Sequence, residues 1–252
     1  MCRHLAYLGP AVSLGKLLTE PDHSLFRQSW EPRRQASGVV NADGFGVGWY
    51  AEFDPLPARF RRFGPIWADQ SFLDLARVVR SGALLAAVRD ATVGGSDGEA
   101  AAAPFADGRW LFSHNGALRD WPDAVAALAA ALPAAELLSM ECRTDSAFVW
   151  ALVAHRLRRG DEPGRAVSEA VRELAGAAPG SRLNLLLTDG ARILATAWGD
   201  SLWYLAEPEA LRTVVASEPY DDDPRWQEVP DRTLLTATRD EIKLTPLKEP
   251  NT

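Results

Sequence analysis

Short apolar runs stand near both ends of this chain, and helical patterns lie between them. The spacing of apolar residues predicts helices over 72–79, 125–132 and 167–174, and a further helix is predicted from Asp145 to about Arg158. Four runs short enough for buried strands are RHLAYLG from Arg3, FGVGWY from Phe45, LLAAVR from Leu84 and WLFSHN from Trp110. This distribution favours antiparallel sheets covered by helices over a doubly wound parallel sheet.

The C-terminal third is denser in strands. Its segment LNLLLTDGARILATAWGDSLWYLA predicts three strands joined by hairpins at Asp189-Gly190 and Gly199-Asp200, because both dipeptides suit tight turns. TVVASE and TLLTAT continue the series. DPLPARFRRFGP and VGGSDGEAAAAP are predicted as surface loops, and the second is long enough to act as a lid. No Pro/Ser-rich linker divides the chain, so we expect one α+β domain over residues 1–252.

The charge balance limits the partners that the chain can bind. A net charge of -7 disfavours nucleic acid and anionic membranes, which need clustered Lys and Arg. No apolar run reaches a membrane span and no secretory signal is present, so a cytoplasmic protein is expected. Cys2 and Cys142 are predicted to be thiols there. The four histidines form no metal-binding motif, so no metal or cofactor is expected. A homo-oligomer remains open.

Cys2 directly follows the initiator methionine. If Met1 is removed, this residue carries a thiol and a free α-amine together. The reference pKa of the amine is about 7.7 to 8.0, so an unprotonated amine near neutral pH can accept the thiol proton. Cys2 is therefore a candidate nucleophile that carries its own base.

Three further segments have the residue types that acyl transfer needs. Asn115-Gly116 in SHNGAL offers a side-chain amide and a backbone N–H for an oxyanion, although a simple hairpin turn is the alternative. Arg89, which ends LLAAVR, suits a carboxylate, although a structural ion pair at a strand end is equally common. Asp145 in CRTDSAFVW suits an ammonium group, although a helix cap is the alternative.

The ordered set MCRHLAYLG, NADGFGVGWY, VRDAT, SHNGAL and RTDSA resembles the class II glutamine amidotransferase domain of the N-terminal-nucleophile hydrolases. Within that family the chain is similar to the γ-glutamyl hydrolases of ergothioneine biosynthesis. The resemblance covers nearly the whole chain, including PFADGRWLFSHNGAL and ASEPYDDDPRWQEVPDRTLL. It implies a four-layer αββα sandwich of two antiparallel sheets.

The resemblance also implies the site and the reaction. Cys2 would be the nucleophile, and Asn115 with Gly116 the oxyanion hole. Arg89 and Thr92 would bind the carboxylate of a small-molecule γ-glutamyl substrate, and Asp145 its ammonium group. The expected reaction removes glutamate from γ-glutamyl-hercynylcysteine S-oxide. A general glutaminase, the glutaminase subunit of an amidotransferase and a non-catalytic γ-glutamyl-binding protein are the alternatives.

Two segments bear on the leaving group. That group would carry a trimethylammonium, which aromatic faces bind well, and Trp30 is a candidate on a predicted rim loop. The family usually has an Asn-Ala-Gln-Pro-like segment where this chain has AAAPF at 101–105, which favours hydrolysis over amide transfer.

A glycine face in NADGFGVGWY (Gly44, Gly46 and Gly48) predicts close backbone packing beneath the N-terminal strand and no nucleotide site.

Overall fold

The computed structural model describes residues 2–35, 38, 40–91 and 98–248. Its strands are β1 (Arg3–Ser13), β2 (Gly44–Trp49), β3 (Ala58–Arg62), β4 (Arg80–Arg89), β5 (Phe105–Asp107), β6 (Trp110–Ala117), β7 (Arg182–Thr188), β8 (Ile193–Ala197), β9 (Trp203–Glu207), β10 (Arg212–Ala216), β11 (Gln227–Glu228), β12 (Thr233–Ala237) and β13 (Ile242–Pro246). Its α-helices are α1 (Gly15–Leu18), α2 (Leu25–Gln28), α3 (Gln70–Val78), α4 (Ala126–Ala131), α5 (Ala134–Leu138), α6 (Asp145–Arg158) and α7 (Pro163–Ala177).

Two sheets divide these strands. The first has the order β11-β9-β10-β1-β4-β2-β3, and the second has the order β13-β12-β8-β7-β6-β5. The pairs β1-β10, β1-β4, β6-β7 and β7-β8 are all antiparallel. The N-terminal strand β1 is therefore central in the first sheet, with partners on both sides.

Three apolar cores separate four layers. One core lies between the two sheets and includes Leu8, Leu85 and Leu186. A second joins the first sheet to α1–α3, and the third joins the second sheet to α6 and α7. Residues 147–154 of α6 are all buried, because this helix packs against both β6 and α7. The order helix, sheet, sheet, helix confirms the expected αββα sandwich.

The glycine face of β2 packs differently from the prediction. A Cβ on Gly46 would overlap the Ala103 carbonyl oxygen, and a Cβ on Gly48 would lie 2.6 Å from Leu111 Cδ1. The chain that approaches these glycines is thus the segment leading into β5, together with β6, and not β1. Ala101 and Ala102 are buried against the cores, so the methyl groups of AAAPF pack the interior.

Two other local predictions are wrong. Gly199-Asp200 does not close a hairpin, because β8 lies in the second sheet and β9 in the first, so the chain crosses between sheets there. Part of the predicted loop DPLPARFRRFGP forms β3, an edge strand paired with β2. The Asp189-Gly190 hairpin between β7 and β8 is confirmed.

Candidate active site

Cys2 lies immediately before the central strand β1. In the β1-β4 ladder Arg3 pairs with Val88, so Cys2 comes opposite Arg89, the last residue of β4. The sequence predicts Cys2 and Arg89 from separate motifs, and strand register brings them together. Neither cysteine forms a disulfide, as predicted.

The surroundings of Cys2 act on its thiol in opposite directions. Burial raises the pKa of the Cys2 thiol, and the carboxylate of Asp145 contributes in the same sense. The guanidinium of Arg89 and a hydrogen bond from the Asp90 backbone counteract part of that rise. The raised pKa means that the thiol needs a base to become a nucleophile near neutral pH.

The end of β4 is fixed by Asp43. The Asp43 N–H donates to the carbonyl oxygen of Arg89 at 2.9 Å, and Asp43 Oδ2 accepts from the N–H of Ala91 at 2.7 Å. Arg89 Nη1 lies 3.4 Å from the Asp43 carbonyl oxygen. These contacts hold the half-buried Arg89 beside Cys2.

Asn115 and Gly116 lie inside strand β6, where they pair with Asn184 and Leu183 of β7. The alternative interpretation of this dipeptide as a hairpin turn is therefore wrong. A Cβ at Gly116 would overlap the Arg182 carbonyl oxygen, so only glycine fits. Gly116 reaches the solvent-accessible cavity beside Cys2, whereas the Asn115 side chain is completely buried.

Asp145 is the first residue of α6, but it is not the helix cap. Thr144 is the N-cap, and its hydroxyl accepts from the N–H of Ala147 at 3.2 Å. Asp145 Oδ2 accepts from the Leu118 N–H at 3.0 Å and Oδ1 accepts from the Ser146 N–H at 2.7 Å. These two bonds fix the carboxylate between the end of β6 and the start of α6.

A buried histidine secures the same helix start. His114 Nε2 lies 2.9 Å from the Arg182 carbonyl oxygen, and a carbonyl can only accept, so Nε2 carries the proton. His114 Nδ1 then accepts from Ser146 Oγ at 3.1 Å. The hydroxyl beside Asp145 is thereby tied to β6.

These groups meet in a cavity of about 370 Å³. Cys2, Arg89, Gly116 and Asp145 all line it, so a thiol, a guanidinium and a carboxylate surround one space. Such a charge pair suits a zwitterionic ligand. In the described part of the chain, no three His, Cys, Asp or Glu side chains lie together so as to hold a metal ion. None of the described helices is long and apolar enough to cross a membrane.

The cavity also has walls that the sequence prediction missed. Asp90, Asp120, Trp121 and Arg143 line it. Asp90 and Arg143 are neighbours of predicted residues within VRDAT and RTDSA, so the motifs themselves could have indicated them. Asp120 and Trp121 lie in the turn after SHNGAL, for which the sequence carries no comparable signal.

Two predicted substrate contacts, Thr92 and Trp30, are not among the described residues that line the cavity. Thr92 falls outside the residues that the structure describes. Trp30 packs edge-on against Phe26 and Trp67, with ring centroids 5.1 and 5.6 Å away, and is not among the described residues that line the cavity. Its contact with a leaving group stays a prediction that this cavity does not support.

Comparisons with known proteins find relatives that match nearly the whole chain. The sequence profile of the class II glutamine amidotransferases matches residues 17–209. A γ-glutamyl-hercynylcysteine sulfoxide hydrolase from Mycolicibacterium smegmatis is 42% identical, over 98% of this chain and 100% of the relative. A protein of the same name from Mycobacterium tuberculosis is 41% identical, over 98% and 97%. A class II glutamine aminotransferase domain structure from Silicibacter pomeroyi has a TM-score of 0.70 and 25% identity, covering 98% and 100%.

Proposed function

Because this chain belongs to the class II glutamine amidotransferase family, we propose that it hydrolyses the γ-glutamyl amide of γ-glutamyl-hercynylcysteine sulfoxide to glutamate and hercynylcysteine sulfoxide. The relatives that carry this name match 98% of the chain, which supports the same substrate here. The observation that carries the proposal is the cavity that Cys2 shares with Arg89 and Asp145.

The cavity suits the glutamate half of the substrate. In the proposed complex the Arg89 guanidinium binds the α-carboxylate in a two-pronged contact, and Asp145 binds the α-ammonium. Both side chains are held by backbone hydrogen bonds before a ligand arrives. Because the two charges are fixed, the γ-carbonyl of the ligand extends toward Cys2 with little loss of side-chain freedom.

The proposed reaction has two steps and begins after removal of Met1. The Cys2 sulfur attacks the γ-carbonyl carbon, and its proton passes through the Cys2 α-amine to the leaving nitrogen as the C–N bond breaks. The product is a γ-glutamyl thioester on Cys2 and a free amine. Water then attacks the thioester carbonyl, the C–S bond breaks, and glutamate leaves as the thiol is restored.

The proposed oxyanion hole consists of the Asn115 side-chain amide and the Gly116 backbone N–H. Donors of this kind stabilise the negative charge that develops on the carbonyl oxygen in both steps. Their position in a paired strand keeps the backbone rigid, which limits reorganisation during the reaction. The buried amide of Asn115 also works in a medium of low polarity, where such hydrogen bonds are strong.

The leaving group calls for a second part of the cavity, and Trp121 is the aromatic residue among its described walls. Trp121 packs against Phe148, with ring centroids 5.4 Å apart and the ring planes tilted by 44°, which fixes the indole. An indole suits a trimethylammonium, which accepts no hydrogen bond and donates none, and Asp120 lines the same cavity. We assign the hercynyl end of the substrate to Trp121 and Asp120.

Product analysis tests this function. Purified protein is incubated with γ-glutamyl-hercynylcysteine S-oxide and, separately, with glutamine, and glutamate, hercynylcysteine S-oxide and ammonia are quantified by mass spectrometry. The wild type should release glutamate from the larger amide, Cys2→Ala should release none, and Cys142→Ala should match the wild type because Cys142 does not line the cavity. Preferential release of ammonia from glutamine would instead indicate a general glutaminase.

Intact mass measured on the same samples tests the first requirement of the mechanism. A chain that retained Met1 and still turned over would contradict the role of the Cys2 α-amine as base.

A further inference from the structure

Ser217 follows β10 and is completely buried beside the N-terminal strand. Its N–H donates to the His4 carbonyl oxygen at 2.9 Å, and its Oγ accepts from the His4 N–H at 3.0 Å. The Ser201 hydroxyl donates to the Ser217 carbonyl oxygen at 2.9 Å. Three hydrogen bonds therefore fix Ser217 beside His4, which follows Cys2 by two residues in the chain.

The hydroxyl of Ser217 also contacts the side-chain amide of Asn115. Asn115 Nδ2 lies 3.3 Å from Ser217 Oγ, and Asn115 Oδ1 is buried with no donor among the described residues. When Nδ2 of Asn115 faces Ser217, the Ser217 Oγ accepts hydrogen bonds from two N–H groups, those of His4 and Asn115. The hydrogen of the Ser217 hydroxyl then has no acceptor in the described part of the chain. Two buried polar groups are left unsatisfied, which is costly.

Exchanging the two ends of the amide satisfies both groups. The oxygen and nitrogen of an asparagine side chain have nearly the same shape and are assigned from their hydrogen bonds. After the exchange, the Ser217 hydroxyl donates to Asn115 Oδ1 while it still accepts from His4. The NH2 end of Asn115 then takes the place of Oδ1, where it has no acceptor among the described residues.

We propose that Ser217 is a positioning residue whose hydroxyl holds Asn115 with its NH2 group toward the oxyanion formed at Cys2. The hydrogen of this hydroxyl finds an acceptor among the described residues only when the amide oxygen faces it, so Ser217 selects the oxygen end. This role rests on the proposed function, because an oxyanion arises only if Cys2 attacks an acyl group. Ser217 touches no substrate and acts through Asn115 alone.

A neutron structure of the deuterium-exchanged wild-type protein tests the assignment without any substrate. We expect deuterium between Ser217 Oγ and Asn115, bonded to Ser217 Oγ, and two deuterium atoms on the Asn115 end that points away from Ser217. Deuterium on the Asn115 end that contacts Ser217 would overturn the proposal and leave the proposed function intact.

Kinetics test the consequence through a double-mutant cycle. Ser217→Ala should lower kcat on the γ-glutamyl substrate about 10- to 100-fold, with KM within about twofold, since the donor is needed only when charge develops. In an Asn115→Ala background the same change should have no further effect, because Ser217 acts only through that amide. Multiplicative losses in the double variant, or wild-type kcat in Ser217→Ala, would overturn the role.

Two more variants complete the experiment. Ser201→Ala removes a hydrogen bond to the backbone of Ser217 but keeps the hydroxyl-amide contact, so its kcat should match the wild type. If Ser217→Ala does not fold, Ser217→Cys replaces it in the cycle, because a thiol is a weak donor. Failure of the wild type to release glutamate would contradict the proposed function, while the neutron result bears on Ser217 alone.

Discussion

Gly116 occupies a position in β6 that has no room for a side chain. In Gly116→Ala the new methyl would overlap the Arg182 carbonyl oxygen and lie 2.6 Å from His114 Nε2, so β6 and β7 would have to separate. We expect the free energy of unfolding to fall by roughly 1–3 kcal/mol, and kcat to fall by about 100-fold as the oxyanion donors move. Denaturant unfolding and steady-state kinetics measure the two effects.

Gly108→Ala is the matched control for this change. A Cβ at Gly108 meets no heavy atom within 4 Å, although its φ of +52 makes alanine strained. This variant should lose about 1 kcal/mol of stability and keep wild-type kcat. Equal kcat losses in the two glycine variants would show that crowding at Gly116 is not the cause.

Arg89 and Arg143 both line the cavity, and substitution separates their roles. Arg89 is half-buried and Arg143 is exposed, so a carboxylate bound by Arg89 is less screened by water. Arg89→Met should lower kcat/KM on the γ-glutamyl substrate by about 100-fold, and Arg143→Met by less than about tenfold. Initial rates over a range of substrate concentrations give both values, and the reverse order would move the carboxylate site to Arg143.

At the scale of elements, patterns that are complete within a short segment were predictable. Helix α6 runs from Asp145 to Arg158 as expected, because its apolar side chains lie within that segment and its N-cap, Thr144, directly precedes it. The crossing at Gly199-Asp200 was not predictable, since a turn dipeptide does not say which sheet receives the next strand. Strand β3 was missed because an exposed, Arg-rich edge strand lacks an apolar pattern.

The residues of the candidate site also fall into those that a local motif indicates and those that only the packing of the fold brings to the cavity. Cys2, Arg89, Gly116 and Asp145 were predictable because each belongs to a motif with its own chemistry, and all four line the cavity. Trp121 was not predictable, because its place depends on how the turn after β6 packs against α6. The sequence left a turn as the alternative for Asn115-Gly116, and only the pairing of β6 with β7 excludes it. It left a helix cap as the alternative for Asp145, and only the position of Thr144 as the N-cap excludes that.

A carboxylate just before α6 ties that segment to the other sheet. Glu141 accepts from Arg59 Nη1 at 2.9 Å and from Arg61 Nη2 at 2.6 Å, and both arginines belong to β3. The tied segment leads into Arg143 and Asp145 of the cavity. Glu141→Ala should therefore raise KM by about fivefold, the equivalent of roughly 1 kcal/mol, with kcat little changed.

A surface ion pair away from the cavity provides the control for Glu141. Asp74 pairs with Arg77 on the exposed face of α3 at 3.2 Å. Asp74→Ala removes a carboxylate from another ion pair and should leave KM unchanged. An unchanged KM in Glu141→Ala as well would show that β3 does not position the start of α6.

For the molecule as a whole, the candidate site depends on the contact between the two sheets. Cys2 and Arg89 come from the first sheet, Gly116 from the second, and Asp145 from a helix that covers the second. His4 lies at this contact, where its Nδ1 is 3.2 Å from Ser113 Oγ, so it links β1 to β6. A pH low enough to protonate the buried His4 imidazole should therefore weaken the contact between the two sheets, and with it the cavity around Cys2.

His4 makes the stability of the fold depend on pH. Burial, together with the nearby Arg3 guanidinium and His114 side chain, lowers the pKa of His4 to about 3 from its ordinary value of about 6.5. Between these values the unfolded chain binds a proton that the folded protein does not. Folding stability contributed by His4 is therefore fully present above pH 6.5 and is lost as the pH falls toward 3, by about 1.4 kcal/mol per pH unit.

The variant His4→Gln should remove this dependence, because glutamine does not titrate and still offers a polar group to Ser113. Urea unfolding of wild type and variant between pH 4 and 6 should give slopes of unfolding free energy against pH that differ by about one proton. His23→Gln is the control, since His23 is only half-buried and lies beside the exposed Asp222. Parallel slopes for wild type and His4→Gln would show that His4 titrates in the folded protein as it does in the unfolded chain.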